Sequence, residues 1–250
     1  MVHRILIVTA VAAEADSVSA GLALGGPGLL PLPGGLALRR HTGPDGGGPL
    51  VDVLVGGVGP AAVAASTGTA LAHASLTSPG SPYDLVVSAG IAGGFQPLAP
   101  LGSVVVSTSV VAADLGAETP DGYLTVEELG FGRSAHPVPD ALTGRISAAL
   151  GAGGLPHAVA PVLTVSTVTG TAGRAAELAE RHPGAAAEAM EGFGVAEAAA
   201  AYGVPVVEIR AVSNAVGPRD RAAWRIGEAL GALRHTFELL SRTVFLEPSP

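Results

Sequence analysis

The sequence predicts a single α/β domain over residues 1–250, in which a central, mixed and twisted sheet is flanked by helices. Short β-rich runs alternate with Ala-rich helical stretches along the chain, which is the pattern of such folds. Two of these runs, 84–88 and 206–210, are nearly continuous in apolar residues, as is typical of strands covered on both faces. No linker-like change in composition divides the chain, so we expect one domain.

Apolar and β-branched runs predict the strands, which are Ile5–Val8, Leu36–Arg40, Val51–Val55, Leu85–Ser88, Val104–Val111, Val162–Ser166 and Val206–Val212. The helices predicted between and after them are Ala12–Leu22, Pro60–Ala74, Pro139–Leu150, Ala172–Arg181, Gly192–Tyr202 and Arg221–Arg242. The last helix has the clearest amphipathic spacing. Residues 21–38 are apolar but contain three prolines, so we expect a loop or hairpin insertion there instead of a membrane helix.

Composition excludes several function classes. The formal net charge is −8 and the pI is near 5.3, which argues against a protein that binds a nucleic-acid backbone. The chain has no Cys, and all 13 basic residues are Arg. Thiolate nucleophiles, Schiff-base lysines and a P-loop lysine are therefore excluded.

Metal, membrane and targeting signals are weak. The seven histidines are scattered without metal-ligand spacing, so we expect no metal and no cofactor. The apolar run 5–13 resembles the core of a signal peptide, but the acids Glu14 and Asp16 follow it at once. We read the run as a buried first strand that leads into a helix, and we expect a cytoplasmic protein.

Two glycine clusters and three polar residues stand at predicted strand ends. Residues 57–62 match G-x-G-x-x-A, but no acid lies between Asp52 and Asp84 to bind a ribose, so this is not a dinucleotide fingerprint. Residues 88–94 either let the backbone approach a ligand closely or form a simple turn. Glu14, Glu191 and Asn214 would converge on one crevice of an open α/β sheet, although each alone fits a cap or a turn.

Together these segments resemble the purine nucleoside phosphorylase and nucleosidase superfamily. The resemblance covers residues 5 to about 240 and rests on 10–14, 56–59, 88–94, Ala189-Met190-Glu191-Gly192 and the stretch from Ile209 to Asn214. Within the superfamily, residues 5–14 and 212–230 are most similar to hydrolases whose substrate carries hypoxanthine and an aromatic carboxylate on the 5′ side of the ribose. The resemblance implies a nucleoside phosphorylase-like fold, a small-molecule nucleoside substrate and a homo-oligomer.

The resemblance also implies roles for single residues. Glu14 would orient and deprotonate water, Glu191 would accept hydrogen bonds from ribose hydroxyls, and Met190 would pack against the sugar. Asn214 would take the purine-recognising position, where adenine-directed nucleosidases carry Asp. An amide can donate to O6 and accept from N7–H, so Asn favours hypoxanthine.

Hydrolysis is favoured over phosphorolysis because residues 5–21 contain no Arg, and Ser88 and Ile91 stand where the phosphorylases place an Arg and a Ser. Ile91 and Gly93 are then expected to line the substrate site. Arg133, Arg219 and Arg221 are candidates to bind the 5′ carboxylate, and Trp224 would either stack on that ring or anchor the last helix. The alternatives are a methylthioadenosine/S-adenosylhomocysteine-type nucleosidase, a purine nucleoside phosphorylase, and a non-enzymatic nucleoside-binding or storage protein.

Overall fold

The chain folds around one large curved sheet in the computed structural model, which describes residues 3–43 and 48–246. Its strands are β1 Arg4–Thr9, β2 Gly28–Pro31, β3 Ala37–His41, β4 Leu50–Val55, β5 Leu85–Gly94, β6 Val104–Ala112, β7 Gly116–Thr119, β8 Gly122–Thr125, β9 Ala135–Pro137, β10 His157–Thr164, β11 Ala187–Ala189 and β12 Val206–Ala215. The α-helices are α1 Ala12–Gly21, α2 Pro60–Thr77, α3 Asp140–Ala152, α4 Ala172–Arg181, α5 Gly192–Ala201 and α6 Ile226–Ser241.

The sheet is mixed, as predicted. Its strand order is β11-β10-β6-β12-β5-β1-β4-β3-β2, while β7 and β8 form a separate two-stranded sheet. Strand β5 runs parallel to β1 and β12, and its last residues pair antiparallel with β11. Because β11 also pairs with β10, one end of the sheet closes on itself. This closed end collects the carboxyl ends of several strands, where an α/β protein forms its ligand site.

Apolar strands and two helix pairs form the core. Residues Ile5 to Val8 and Leu85 to Val87 are almost fully buried, which agrees with the continuous apolar runs in the sequence. Helix α1 packs against α6, and α2 packs against α5. None of the helices within the described ranges combines the length and hydropathy needed to cross a membrane.

The structure corrects several predicted boundaries. Helix α6 begins at Ile226 and not at Arg221, because the Arg225 N–H donates to the Ser213 carbonyl and ties the preceding segment to the sheet. Residues 88–94 are not a turn, because they continue β5 as extended strand. The predicted hairpin insertion is confirmed by the antiparallel β2–β3 pair. The sequence analysis missed the short strands β2, β7, β8, β9 and β11, and the outermost residues of the predicted 1–250 domain lie outside the described part.

Candidate active site

Glu14 lies in the first turn of α1, directly after β1, and is 4% exposed. Its Oε2 accepts hydrogen bonds from the backbone N–H groups of Ala10 (3.0 Å) and Val11 (3.2 Å). Its Oε1 accepts from the N–H of Ile91 in β5 (2.9 Å). Three backbone donors from two segments therefore fix the carboxylate in one orientation, and the predicted neighbours Glu14 and Ile91 are in direct contact.

Glu191 stands between β11 and α5, where the sequence places a strand-to-helix junction. Its Oε1 accepts from the N–H of Gly59 (3.3 Å), and the residue is 6% exposed. Gly57 and Gly59 have φ of 96° and 90°, a backbone conformation that glycine adopts readily. The first glycine cluster thus forms a tight turn before α2 whose backbone binds a carboxylate of the protein.

Arg210 joins the two glutamates, and the sequence analysis gave it no role. The guanidinium is fully buried, and its Nη1 lies 3.2 Å from Oε2 of Glu191. Its Nε donates to Oε1 of Glu208 (2.8 Å), and its Nη2 donates to the hydroxyl of Ser88 (3.2 Å). Burial acts to lower the pKa of Arg210, but the charges of Glu208, Glu191 and Glu14 outweigh it and raise that pKa. The arginine therefore stays charged in a fully buried position.

Gly90 allows Glu14 and Arg210 to approach the same point. A Cβ on Gly90 would lie 2.5 Å from Oε1 of Glu14 and 2.6 Å from Nη1 of Arg210. Both distances are shorter than any real Cβ contact, so a side chain at this position would displace one of the two groups. The glycine in β5 is thus a condition for the carboxylate–guanidinium arrangement.

Asn214 lies near the end of β12, opposite Gly93 of β5. Its Oδ1 accepts from the hydroxyl of Ser213 (2.8 Å), and its Nδ2 donates to the Ala215 carbonyl (3.0 Å). These contacts set the amide orientation, because a flipped amide would bring its oxygen against the Ala215 carbonyl. One N–H of Asn214 and one lone pair of its oxygen are left for a ligand.

The remaining predicted residues divide into two groups. Ile91, Gly93 and Met190 are partly exposed, as Asn214 is. Ile91 donates to Glu14, Met190 directly precedes Glu191, and Gly93 lies opposite Asn214. Arg219 and Trp224 lie in the segment between β12 and α6, where Cζ of the arginine lies over the indole, 5.3 Å from the ring centroid. The structure brings these two residues together but shows no contact between them and Glu14 or Glu191. Their connection to the site is the Arg225–Ser213 backbone bond (2.7 Å), next to Asn214.

The other two arginines that the sequence offers as ligands of the 5′ carboxylate have different surroundings. Cζ of Arg221 lies 5.7 Å from the centroid of the Trp224 ring, whereas Arg133 is exposed in the segment between β8 and β9. Trp224 is only partly buried, so it does not anchor α6 in the core. Within the described ranges, no group of three or more His, Asp or Glu side chains is arranged to hold a metal ion.

The arrangement is suited to acid–base chemistry on a polyhydroxylated ligand. A buried carboxylate held by backbone donors can orient water and accept its proton. A second carboxylate at the crevice can accept hydrogen bonds from hydroxyl groups, and an amide at the rim can both donate and accept. The sequence contained a signal for Arg210, because charged residues at 208 and 210 point to the same face of an otherwise apolar strand.

Comparisons with known proteins give matches over nearly the whole chain. A family model described as the Phosphorylase superfamily matches residues 4–243. A futalosine hydrolase of Streptomyces coelicolor is 59% identical over 230 residues, which cover 92% of this chain and 92% of that protein. A futalosine hydrolase of Acidothermus cellulolyticus is 46% identical over 235 residues, 94% of this chain and 89% of that protein. The solved structure of a futalosine hydrolase of Helicobacter pylori matches with a TM-score of 0.78 at 16% identity, over 97% of this chain and 99% of that one.

Proposed function

The chain belongs to the Phosphorylase superfamily, and we propose that within it the protein hydrolyses the N-glycosidic bond of futalosine to hypoxanthine and dehypoxanthine futalosine. The high identity to two futalosine hydrolases over nine-tenths of the chain supports this substrate. The observation that carries the reaction type is the buried arrangement of Glu14, Arg210 and Glu191 at the closed end of the sheet.

In the proposed reaction, water attacks the anomeric carbon of the ribose from the side of Glu14. The new C–O bond forms as the C–N bond to the purine breaks, the bonding electron pair leaves with the base, and the base takes up a proton at N7 from solvent. The proton of the water passes to Glu14 and returns from there to solvent. Glu191 accepts hydrogen bonds from the ribose hydroxyls and favours the positive charge that develops on the sugar. Met190 packs against the sugar.

Hydrolysis is favoured over phosphorolysis because two of the three nitrogens of Arg210 already donate to protein acceptors and the third is paired with a carboxylate. Its Nε and Nη2 donate to Glu208 and Ser88, and its Nη1 faces Glu191. A phosphate in the crevice would have to compete with these groups and would lie near the like charge of Glu14. Water carries no charge, so it can occupy the same place without that repulsion.

Asn214 supports hypoxanthine as the leaving base. The N–H that is left after the bond to Ala215 can donate to O6 of the purine, and the Asn214 oxygen retains a lone pair for N7–H. A 6-amino group at that place would meet an N–H donor, and one mismatched buried pair costs about 1–3 kcal/mol. The absence of a side chain at Gly93 leaves space beside this amide, since a Cβ there would lie 3.3 Å from Nδ2 of Asn214.

We further propose that Arg219 and Trp224 bind the aromatic carboxylate on the 5′ side of futalosine. Their stacked pair lies in the segment that is tied to Ser213, beside the purine-recognising amide. Arg219→Ala should raise KM for futalosine about tenfold, the loss of one charge-assisted contact, and should leave KM for inosine unchanged. Equal effects on both substrates would contradict the assignment.

The reaction is tested by release of free base, followed by chromatography, from futalosine, its 6-amino analogue, inosine and methylthioadenosine, each with and without phosphate. We expect hypoxanthine from futalosine at a rate that phosphate does not change. Adenine release from methylthioadenosine or from the amino analogue would overturn the assignment of the base. A rate that depends on phosphate would overturn hydrolysis, and binding of futalosine without turnover would favour a nucleoside-binding protein.

The product would serve menaquinone biosynthesis, the family resemblance supports a homo-oligomer, and the cytoplasm is the proposed location. Light scattering of the purified protein tests the oligomer. Residues 4–21 form β1 and α1 and supply Glu14, so the apolar run near the N-terminus belongs to the folded enzyme.

A further inference from the structure

We propose that Glu208 is a positioning residue, which orients the Arg210 guanidinium toward Glu14 and Glu191 by accepting the hydrogen bond of its Nε. The inference rests on the proposed nucleosidase reaction and adds to it a residue that does not itself touch the substrate. Glu208 lies in β12, two residues before Arg210 and on the same face of the strand.

Among the described side chains, Arg210 is the one that donates a hydrogen bond to the Glu208 carboxylate. Its side chain is completely buried, and Oε1 accepts from Nε of Arg210 at 2.8 Å. Its other oxygen, Oε2, has no hydrogen-bond partner within the described residues. A buried carboxylate with an unsatisfied oxygen is costly to the fold, so a compensating role in the site is expected.

The backbone at Gly192 leaves space for this carboxylate because the residue has no side chain. A Cβ on Gly192, the first residue of α5, would lie 2.0 Å from Oε2 of Glu208. Glu208 thus lies against the first turn of α5, the helix that Glu191 directly precedes. Positive partial charge at a helix N-terminus favours a carboxylate there.

Two sides of the guanidinium are held by hydrogen bonds, while Nη1 makes an ion pair with Glu191 but no hydrogen bond within the described residues. Glu208 holds Nε, Ser88 holds Nη2, and Nη1 is then directed to Glu191 and to the point beside Gly90 where Glu14 also arrives. Because Ser88 provides a single, longer bond of 3.2 Å, the shorter bond to Glu208 is the main restraint on the plane of the guanidinium. Without an acceptor at Nε, the guanidinium would rotate, and its positive charge would stabilise the facing carboxylates of Glu14 and Glu191 less.

The test compares two substitutions of nearly equal size. Glu208→Gln keeps an oxygen that can accept from Nε, whereas Glu208→Met fills the space without an acceptor. We expect the glutamine variant to keep kcat within about threefold of wild type, and the methionine variant to lose about 10- to 100-fold, as is typical when a catalytic group is displaced by a fraction of an ångström. Rescue of kcat by glutamine, compared at an equal fraction of folded protein, separates positioning of Arg210 from a purely structural role.

Asp52→Asn is the matched control, because Asp52 is another fully buried acid paired with an arginine, Arg40, at the other end of the sheet. It should lower the melting temperature without lowering kcat. If Glu208→Met does not fold, Ser88→Ala removes the second anchor of Arg210 and should lower kcat by a smaller factor.

Two results would overturn the proposal: a methionine variant whose kcat equals that of wild type, or a glutamine variant as impaired as the methionine variant. Crystal structures of both variants test the same point without substrate. The Arg210 Nη1 to Glu191 Oε2 distance of 3.2 Å should persist with glutamine and lengthen with methionine. A wild-type protein that cleaves no nucleoside would refute the proposed function, whereas these distances would still decide the role of Glu208.

Discussion

Replacement of Glu14 by glutamine separates the catalytic use of this side chain from its structural use. The carboxylate accepts three backbone N–H groups, two on Oε2 from Ala10 and Val11 and one on Oε1 from Ile91. An amide retains the larger number of bonds if its oxygen faces Ala10 and Val11. Its NH2 group then meets the Ile91 N–H, so one buried donor loses its acceptor, at a cost of about 1–3 kcal/mol in the free energy of unfolding.

The loss of activity should exceed this loss of stability. An amide cannot accept the proton of the attacking water, and removal of a general base typically costs about 10²–10⁴-fold in rate, which corresponds to about 3–5 kcal/mol of transition-state free energy. We expect kcat for futalosine to fall in this range, while calorimetry shows that the variant still binds hypoxanthine.

Initial rates of hypoxanthine release and the melting temperature, measured on the same preparations, check the prediction. The control is Asp16→Asn, since Asp16 is an exposed acid on the same helix whose partner is Arg39 at the surface. It should change neither quantity appreciably. A Glu14→Gln enzyme with a rate within about threefold of wild type would refute the proposed role of the carboxylate as base.

Three further predictions concern the base, the backbone and the pH. Asn214→Asp should lower kcat/KM for futalosine about 10- to 100-fold relative to its 6-amino analogue, because a carboxylate repels O6; competition between the two substrates measures the ratio. Gly90→Ala should reduce kcat about 10²-fold, since its Cβ would press on Glu14 and Arg210; an unaltered rate would show that neither group is needed where it lies. Burial lowers the pKa of His41 below its usual 6.5, so the unfolded state binds more protons and stability is lost as the pH falls below about 6.5. Thermal melts should show a smaller loss in His41→Gln, and parallel curves would contradict this origin.

The central strands and the residues directly after them could be predicted from the sequence. Strands β1, β5 and β12 are apolar enough to be recognised, and Glu14 and Asn214 follow from the places where two of these strands end. The short strands could not be recognised in this way. Strand β11, for example, has three residues and is stabilised by pairing with both β10 and β5, which no local pattern encodes.

The inner part of the site was missed for a related reason. The run from Val206 to Arg210 was read as apolar, although two of its five residues are charged. In a strand covered on both faces, two such residues can be buried only if their charges pair, as those of Glu208 and Arg210 do. By contrast, nothing local fixes where the loop with Arg219 and Trp224 lies, so its relation to the crevice depended on tertiary contacts such as the bond between Arg225 and Ser213.

Strand β5 pairs with β1, β12 and β11, and its residues 91–94 also border Glu14 and Asn214. The floor of the crevice is therefore part of a ladder that has strand partners on both sides at Gly93 and Gly94. Amide protons in this stretch should exchange with solvent more slowly than those of 216–225, which lie outside the sheet. Hydrogen exchange would then divide the proposed site into a base-recognising part held by strands and an outer part, with Arg219 and Trp224, held by a loop.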